Sequence, residues 1–238
     1  MIADLFHQNN TRFFSHLAFP KIRSHENQLL NDMSTNEMQH LIDDFVTAAR
    51  LSKASGCDGI ELHGAHGYFL NMLLSNEYNH RKDAYDGPLK NRLRFISEVL
   101  AKIGRFSDDN FIISYRMGWS NSSETDILIA AALEKMGVNL LHISFGLRST
   151  RIFDLPENHP YNKTVYAGTL LKKWLKIPIT VVDDIQTFSR GNYLFENNLS
   201  DFVAYGRPFL ADCDFVLISS NAPPLSTLHK MQKMSLVY

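Results

Sequence analysis

The alternation of short apolar runs with helix-like stretches predicts an α/β fold on a parallel sheet: a (β/α)8 TIM barrel, incomplete, with about six of its eight strands present. Three observations lead there. Six runs are short and mostly lack strict alternation: Arg12–Leu17, Gly59–Leu62, Phe111–Met117, Leu140–Phe145, Ile177–Val182 and Phe202–Tyr205. That is the pattern of parallel strands buried on both faces. No Gly-rich turn follows the first run, as a doubly wound nucleotide-binding sheet would require. Polar and ionisable residues, His63, Arg116 and Ser144, stand at the ends of three runs, where a barrel carries its active site. The chain 1–238 then reads as a single barrel domain that enters the fold at about the third strand.

The stretches between the runs carry helix signals. Ser34-Thr35-Asn36-Glu37 has the form of a capping box, in which the hydroxyl accepts from the Glu37 amide and the carboxylate reaches back. Met38, Leu41, Ile42, Phe45 and Ala49 follow on one helical face. Gly56 then marks a left-handed C-terminus. A second helix is expected from Ser123 or Glu124 to Met136, ending at Gly137. A third is expected from Thr164 to Lys176, before Pro178.

Composition excludes several classes. The 238 residues are 45% apolar and 21% charged, enough for one sizeable core. A net charge of −1 gives no reason to expect a nucleic-acid surface. The two cysteines, Cys57 and Cys213, lack nearby partners of the zinc or redox type and read as reduced thiols. The first sixteen residues do not form a signal peptide, and no stretch approaches the roughly 20 apolar residues of a membrane span. The expectation is a cytoplasmic protein with no membrane partner.

Chemistry concentrates in Gly59-Ile60-Glu61-Leu62-His63-Gly64-Ala65-His66-Gly67-Tyr68. A strand ends there, and a tight turn on Gly64 and Gly67 brings His63, His66 and Tyr68 together. Two imidazoles can donate to one oxygen that gains charge, and a phenol can deliver a proton. Two other uses stay open. The histidines can fill polar gaps at a barrel rim, or the HxxH spacing can hold a metal with His142 as a third ligand, although no Glu lies at zinc-site spacing. Ser75 to Phe95 is polar and rich in Arg, Asp and Asn. By composition alone it reads as a solvated loop with its charges partly paired.

The order of these residues is similar to the Old Yellow Enzyme family. The resemblance lies in HGAHGY, then Ser75, Asn79, Arg81, Asp83, Tyr85, Gly87, Asn91, Arg92, Arg94 and Phe95, then Tyr115-Arg116-Met117, Leu141-His142-Ile143-Ser144, and the run Phe202 to Asp212. It implies a barrel that binds FMN at its top and takes hydride from NADPH or NADH. It implies as substrate a small molecule with an alkene activated by a carbonyl or nitro group. Carried over, His63 and His66 would hold the activating oxygen and Tyr68 would protonate the α-carbon. Arg116 would face the flavin's pyrimidine edge, and Gly206 and Arg207 would contact the FMN phosphate.

The sequence departs from the family pattern in four places. The opening strands are absent, so two sheet edges are expected to be exposed, which favours self-association. Ser15-His16 stands where the family usually has a flavin-bonding Gln. Val182-Asp183-Asp184 stands at a Gly-Gly turn that offers amides to the phosphate. Carboxylates pointing inward there would repel a dianion; the milder expectation is that Asp184 caps the next helix and faces solvent. Asn76 replaces a proline, and Asp86-Gly87-Pro88 replaces Gly-Gly-Ser. Two functions follow as alternatives: an FMN-dependent ene-reductase, or a truncated relative that binds flavin weakly or not at all.

Overall fold

The computed structural model describes residues 2–19, 27–119, 121–147, 154–211 and 215; Cys213 and Asp212 lie outside them. In chain order the elements are α1 (Ile2–His7), β1 (Phe14–Leu17), α2 (Asn27–Asp32), α3 (Thr35–Ala54), β2 (Gly59–Gly64) and α4 (Phe69–Leu74). Next come α5 (Leu89–Arg92), α6 (Arg94–Ile103), β3 (Ile112–Gly118), α7 (Ser123–Lys135), β4 (Leu140–Ser144) and α8 (Lys163–Leu171). The chain continues with β5 (Ile179–Val181), α9 (Phe188–Glu196), β6 (Phe202–Val203) and α10 (Arg207–Ala211). The strands form one parallel sheet in the order β1-β2-β3-β4-β5-β6. Sequential parallel strands with helical crossovers form the wall of a (β/α)8 barrel, here six strands of it.

All six predicted strands are present, with altered lengths. β2 runs on through His63 and Gly64, so Gly64 belongs to the strand rather than to the turn. Its lack of a side chain is a steric need: a Cβ there would lie 2.1 Å from the buried Tyr115 Oη. The ladder is longest in the middle and tapers to one side. β2 pairs with β3 from Gly59↔Ile112 to Gly64↔Met117. β5 meets β6 only at Thr180↔Phe202 and Val181↔Val203. Among the described residues β1 and β6 are each paired on one side only.

The capping box forms as expected. Glu37 N donates to Ser34 Oγ (3.2 Å) and Ser34 N donates to Glu37 Oε2 (2.7 Å). Met38, Leu41, Ile42, Phe45 and Ala49 are buried along α3, each large side chain contributing on the order of 1.5–3 kcal/mol. Gly56 and Gly137 take φ of 80° and 94° past the ends of α3 and α7. α8 stops at Leu171, short of the expected Lys176. The Lys176 and Ile177 amides instead donate to Glu134 Oε1 on α7, at 2.6 and 2.9 Å.

The segment after α4 is not a solvated loop. Asn79, Arg81, Tyr85 and Arg92 are all buried. Arg81 forks onto Asp83, with Nε–Oδ1 at 3.2 Å and Nη2–Oδ2 at 2.5 Å, and donates to the Leu30 and Met33 carbonyls. Arg92 donates to the Leu74 carbonyl and to Asn121 Oδ1 (2.8 Å). These arginines tie α2, α4 and the loop after β3 together, so much of this stretch serves architecture.

Candidate active site

Residues at alternate positions of a strand share a face. Register therefore sets Glu61 and His63 of β2, Ser114 and Arg116 of β3, and His142 and Ser144 of β4 side by side within the barrel. Glu61 pairs with Ser114, His63 with Arg116, and Arg116 with His142. On β1, His16 stands opposite Glu61.

The turn after β2 aims the remaining groups. His66 adopts φ 60° and Gly67 φ 71°. A left-handed histidine costs on the order of 1 kcal/mol, and its surroundings hold it there. The His66 amide donates to the Phe145 carbonyl (3.0 Å) and the Gly67 amide to Asn71 Oδ1 (3.0 Å). Asn71 in turn donates to the Gly118 carbonyl on β3 (3.2 Å). The His63 ring centroid lies 5.1 Å from that of His66 and 5.0 Å from that of Tyr68. The three side chains singled out in the sequence are therefore brought together. His66 Nε2 lies 2.8 Å from Ser144 Oγ, which also accepts from Arg116 Nη2 at 3.1 Å.

Beneath them is a carboxylate that the sequence analysis did not single out. Glu61 is 1% exposed. It accepts from Ser114 Oγ (3.1 Å) and from the Nδ1 atoms of His142 (3.1 Å) and His16 (2.9 Å). Burial alone would raise the Glu61 carboxyl, but the His142 and His16 contacts outweigh it and hold the group ionised, well below the usual range. Burial keeps His142 neutral. The signal in the sequence was a charge inside an otherwise apolar strand. Burial, then the neighbouring His16, His66 and Arg116, push His63 down to about 3. His66 is exposed at the mouth; desolvation of its ring by the cavity wall, then Arg116, push it down to about 4. Both imidazoles are neutral at pH 7. His142 bonds Glu61 instead of joining His63 and His66, and among the described residues no three His, Cys, Asp or Glu side chains are grouped to hold a metal.

A cavity of about 380 Å³ opens at these strand ends. His66, Arg116 and Ser144 line one side, and Asp183, Gly206 and Arg207 the other. Asp183 and Asp184 occupy left-handed backbone, φ 85° and 57°. Asp184 does not cap α9; Thr187 does, accepting from the Arg190 amide. Asp184 is nevertheless exposed and lies 3.3 Å from Arg190. Asp183 Oδ1 lies 2.6 Å from Arg207 Nη2, and Asn162 donates to its other oxygen at 2.8 Å.

Imidazoles, a phenol and a guanidinium at the strand ends of a parallel barrel wall stand where such a barrel carries its active site. The model of the NADH:flavin oxidoreductase / NADH oxidase family matches residues 8–221, and the chain belongs to that family. An NADH oxidase of Thermoanaerobacter brockii is 34% identical over 76% of this chain and 29% of its own length. An NADPH dehydrogenase of Bacillus pumilus is 31% identical over 76% and 53%. A cinnamate reductase of Clostridium sporogenes is 27% identical over 77% and 31%. In fold, a 2-naphthoyl-CoA reductase in complex with 2-naphthoyl-CoA superposes with a TM-score of 0.63 at 24% identity, covering 76% of this chain and 28% of that one. The chain thus spans between about a quarter and somewhat over half of the relatives it matches. The resemblance to the Old Yellow Enzyme family is confirmed, and FMN with NADH or NADPH is what that family uses.

The residues present fit a flavin, but not equally along its length. At one end of the cavity Arg116 offers a guanidinium held by Ser144. At the other end a Cβ on Gly206 would meet nothing within 4 Å, so its backbone is open to a phosphate, and Arg207 is exposed beside it. There Asp183 already holds Arg207, and a phosphate dianion must compete with that carboxylate.

Proposed function

We propose that the chain is the later part of an FMN-dependent oxidoreductase barrel, from about the third strand onward, that reduces activated C=C bonds in enones, enals or nitroalkenes. The convergence of the His63, His66 and Tyr68 rings, with His66 and Arg116 lining one cavity, carries this proposal. Bound FMN supplies the hydride store between NAD(P)H and the alkene. His63 and His66 hold the substrate's carbonyl or nitro oxygen, which polarises the alkene and makes its β-carbon the hydride acceptor. Tyr68 gives its proton to the α-carbon. Arg116 would hold the pyrimidine edge of the flavin, and its permanent charge suits a group that becomes more negative on reduction. Gly206 and Arg207 would hold the phosphate.

Visible absorption of the purified chain with and without FMN tests this. The expected result is a yellow protein, bleached by NADPH without oxygen and restored by a conjugated enone. A colourless protein that ignores FMN would remove the activity and leave the ancestry. One observation favours that alternative, a relative that binds flavin weakly or not at all: the Asp183–Arg207 pair in the phosphate end of the cavity.

Among the described residues the outer edges of β1 and β6 are unpaired, which supports self-association; size-exclusion chromatography tests it, and a monomer at high concentration would count against it. No helix among the described residues is long and apolar enough to cross a membrane, and we place the protein in the cytoplasm.

A further inference from the structure

His16 lies between a buried carboxylate and a second imidazole. His16 Nδ1 lies 2.9 Å from Glu61 Oε2, and His16 Nε2 lies 3.0 Å from His63 Nδ1. The two rings meet edge-on, with centroids 4.7 Å apart.

We propose that His16 is a positioning residue that sets which ring nitrogen of His63 carries the proton, and so whether His63 offers a donor or an acceptor at Nε2 to the substrate oxygen. An ionised carboxylate only accepts, so His16 Nδ1 carries hydrogen. One hydrogen then lies between His16 Nε2 and His63 Nδ1, and it has two possible owners. If His16 is an imidazolium, it donates to His63 Nδ1, and the His63 proton sits at Nε2, facing the site as a donor. If His16 is neutral, its bare Nε2 accepts from His63 Nδ1, and His63 Nε2 is an acceptor that repels a carbonyl or nitro oxygen. Among the described residues, the titratable and charged groups around this chain include Glu61 and His63 of β2, His66 and Tyr68 in the turn after it, Arg116 of β3 and His142 of β4.

The consequence for substrate rests on the proposed reductase function, but the proton placement does not, and it is measured without turnover. Long-range ¹H–¹⁵N NMR of the labelled full chain distinguishes protonated from bare ring nitrogens. At pH 7 the wild-type His63 should hold its proton at one ring nitrogen. In His16→Gln that proton should redistribute between Nδ1 and Nε2, and in Glu61→Gln, which removes the carboxylate held by His16 Nδ1, it should do so as well. Should His16→Gln fail to fold, Glu61→Gln decides alone. A His63 tautomer unchanged in both variants overturns the proposal. In a catalytically active preparation, His16→Gln should change the KM for the alkene severalfold, with kcat changing less.

Discussion

The Asp183 carboxylate meets the Arg207 guanidinium at 2.6 Å, joining the loop after β5 to the first residue of α10 across the mouth of the cavity. It sets a negative charge where a phosphate is expected. Replacing Asp183 with Gly frees Arg207 and suits a backbone at φ 85°. The pair is well exposed, so the gain is modest. FMN should bind roughly three- to tenfold tighter to Asp183→Gly, as read by quenching of flavin fluorescence. Unchanged affinity would mean that the phosphate does not use Arg207.

Tyr68 touches the His63 ring edge-on and is part-buried. Tyr68→Phe keeps that packing and removes the proton. Alkene reduction should slow on the order of 10²–10⁴-fold, while reduction of the flavin by NADPH is unchanged. Stopped-flow absorbance separates the two half-reactions, and a parallel fall in both would show that Tyr68 is not simply the proton donor.

His63 and His66 are neutral when folded and titrate at about 3 and 4, against an ordinary value of 6.5. Between those values the unfolded chain binds more protons than the folded one. Stability should therefore fall as pH drops from about 6.5 towards 4, and hold above 6.5. Chemical denaturation across that range checks the slope, and His63→Asn should flatten it. A stability that rises on acidification through this window would contradict the buried neutral imidazole.

Gly64 leaves 2.1 Å between its would-be Cβ and Tyr115 Oη. Gly64→Ala should cost about 1–3 kcal/mol by overpacking, visible in the denaturation midpoint. Gly64→Ala combined with Tyr115→Phe should recover little of that loss, because the ring carbons Cζ and Cε1 crowd the new Cβ almost as closely as the phenol oxygen.

The sheet and its helices were legible in the sequence because each rests on local patterns: the Ser34–Glu37 box, the α3 apolar face, and the closing glycines Gly56 and Gly137. The trio His63, His66 and Tyr68 was legible because it sits within six residues. What escaped depends on distance along the chain. Glu61 gains its character from His16 and His142, 45 and 81 residues away. Arg81 and Arg92 read as surface charges until the carbonyls of Leu30, Met33 and Leu74 fold onto them. Asp184 read as a cap because no local pattern shows that Thr187 supplies one.

The tapering ladder has a mechanical consequence. The imidazoles and phenol stand over the β2–β3 seam, the longest of the sheet, whereas Gly206 and Arg207 hang from β6, tied to β5 at two positions. Opening should start at the phosphate side and spare the catalytic side, so amide exchange should quicken from β3 towards β6. On the proposed function, a stiff half of the barrel wall would fix the chemistry and a compliant half would grip the cofactor's tail, so that grip could change without disturbing the geometry of the reaction.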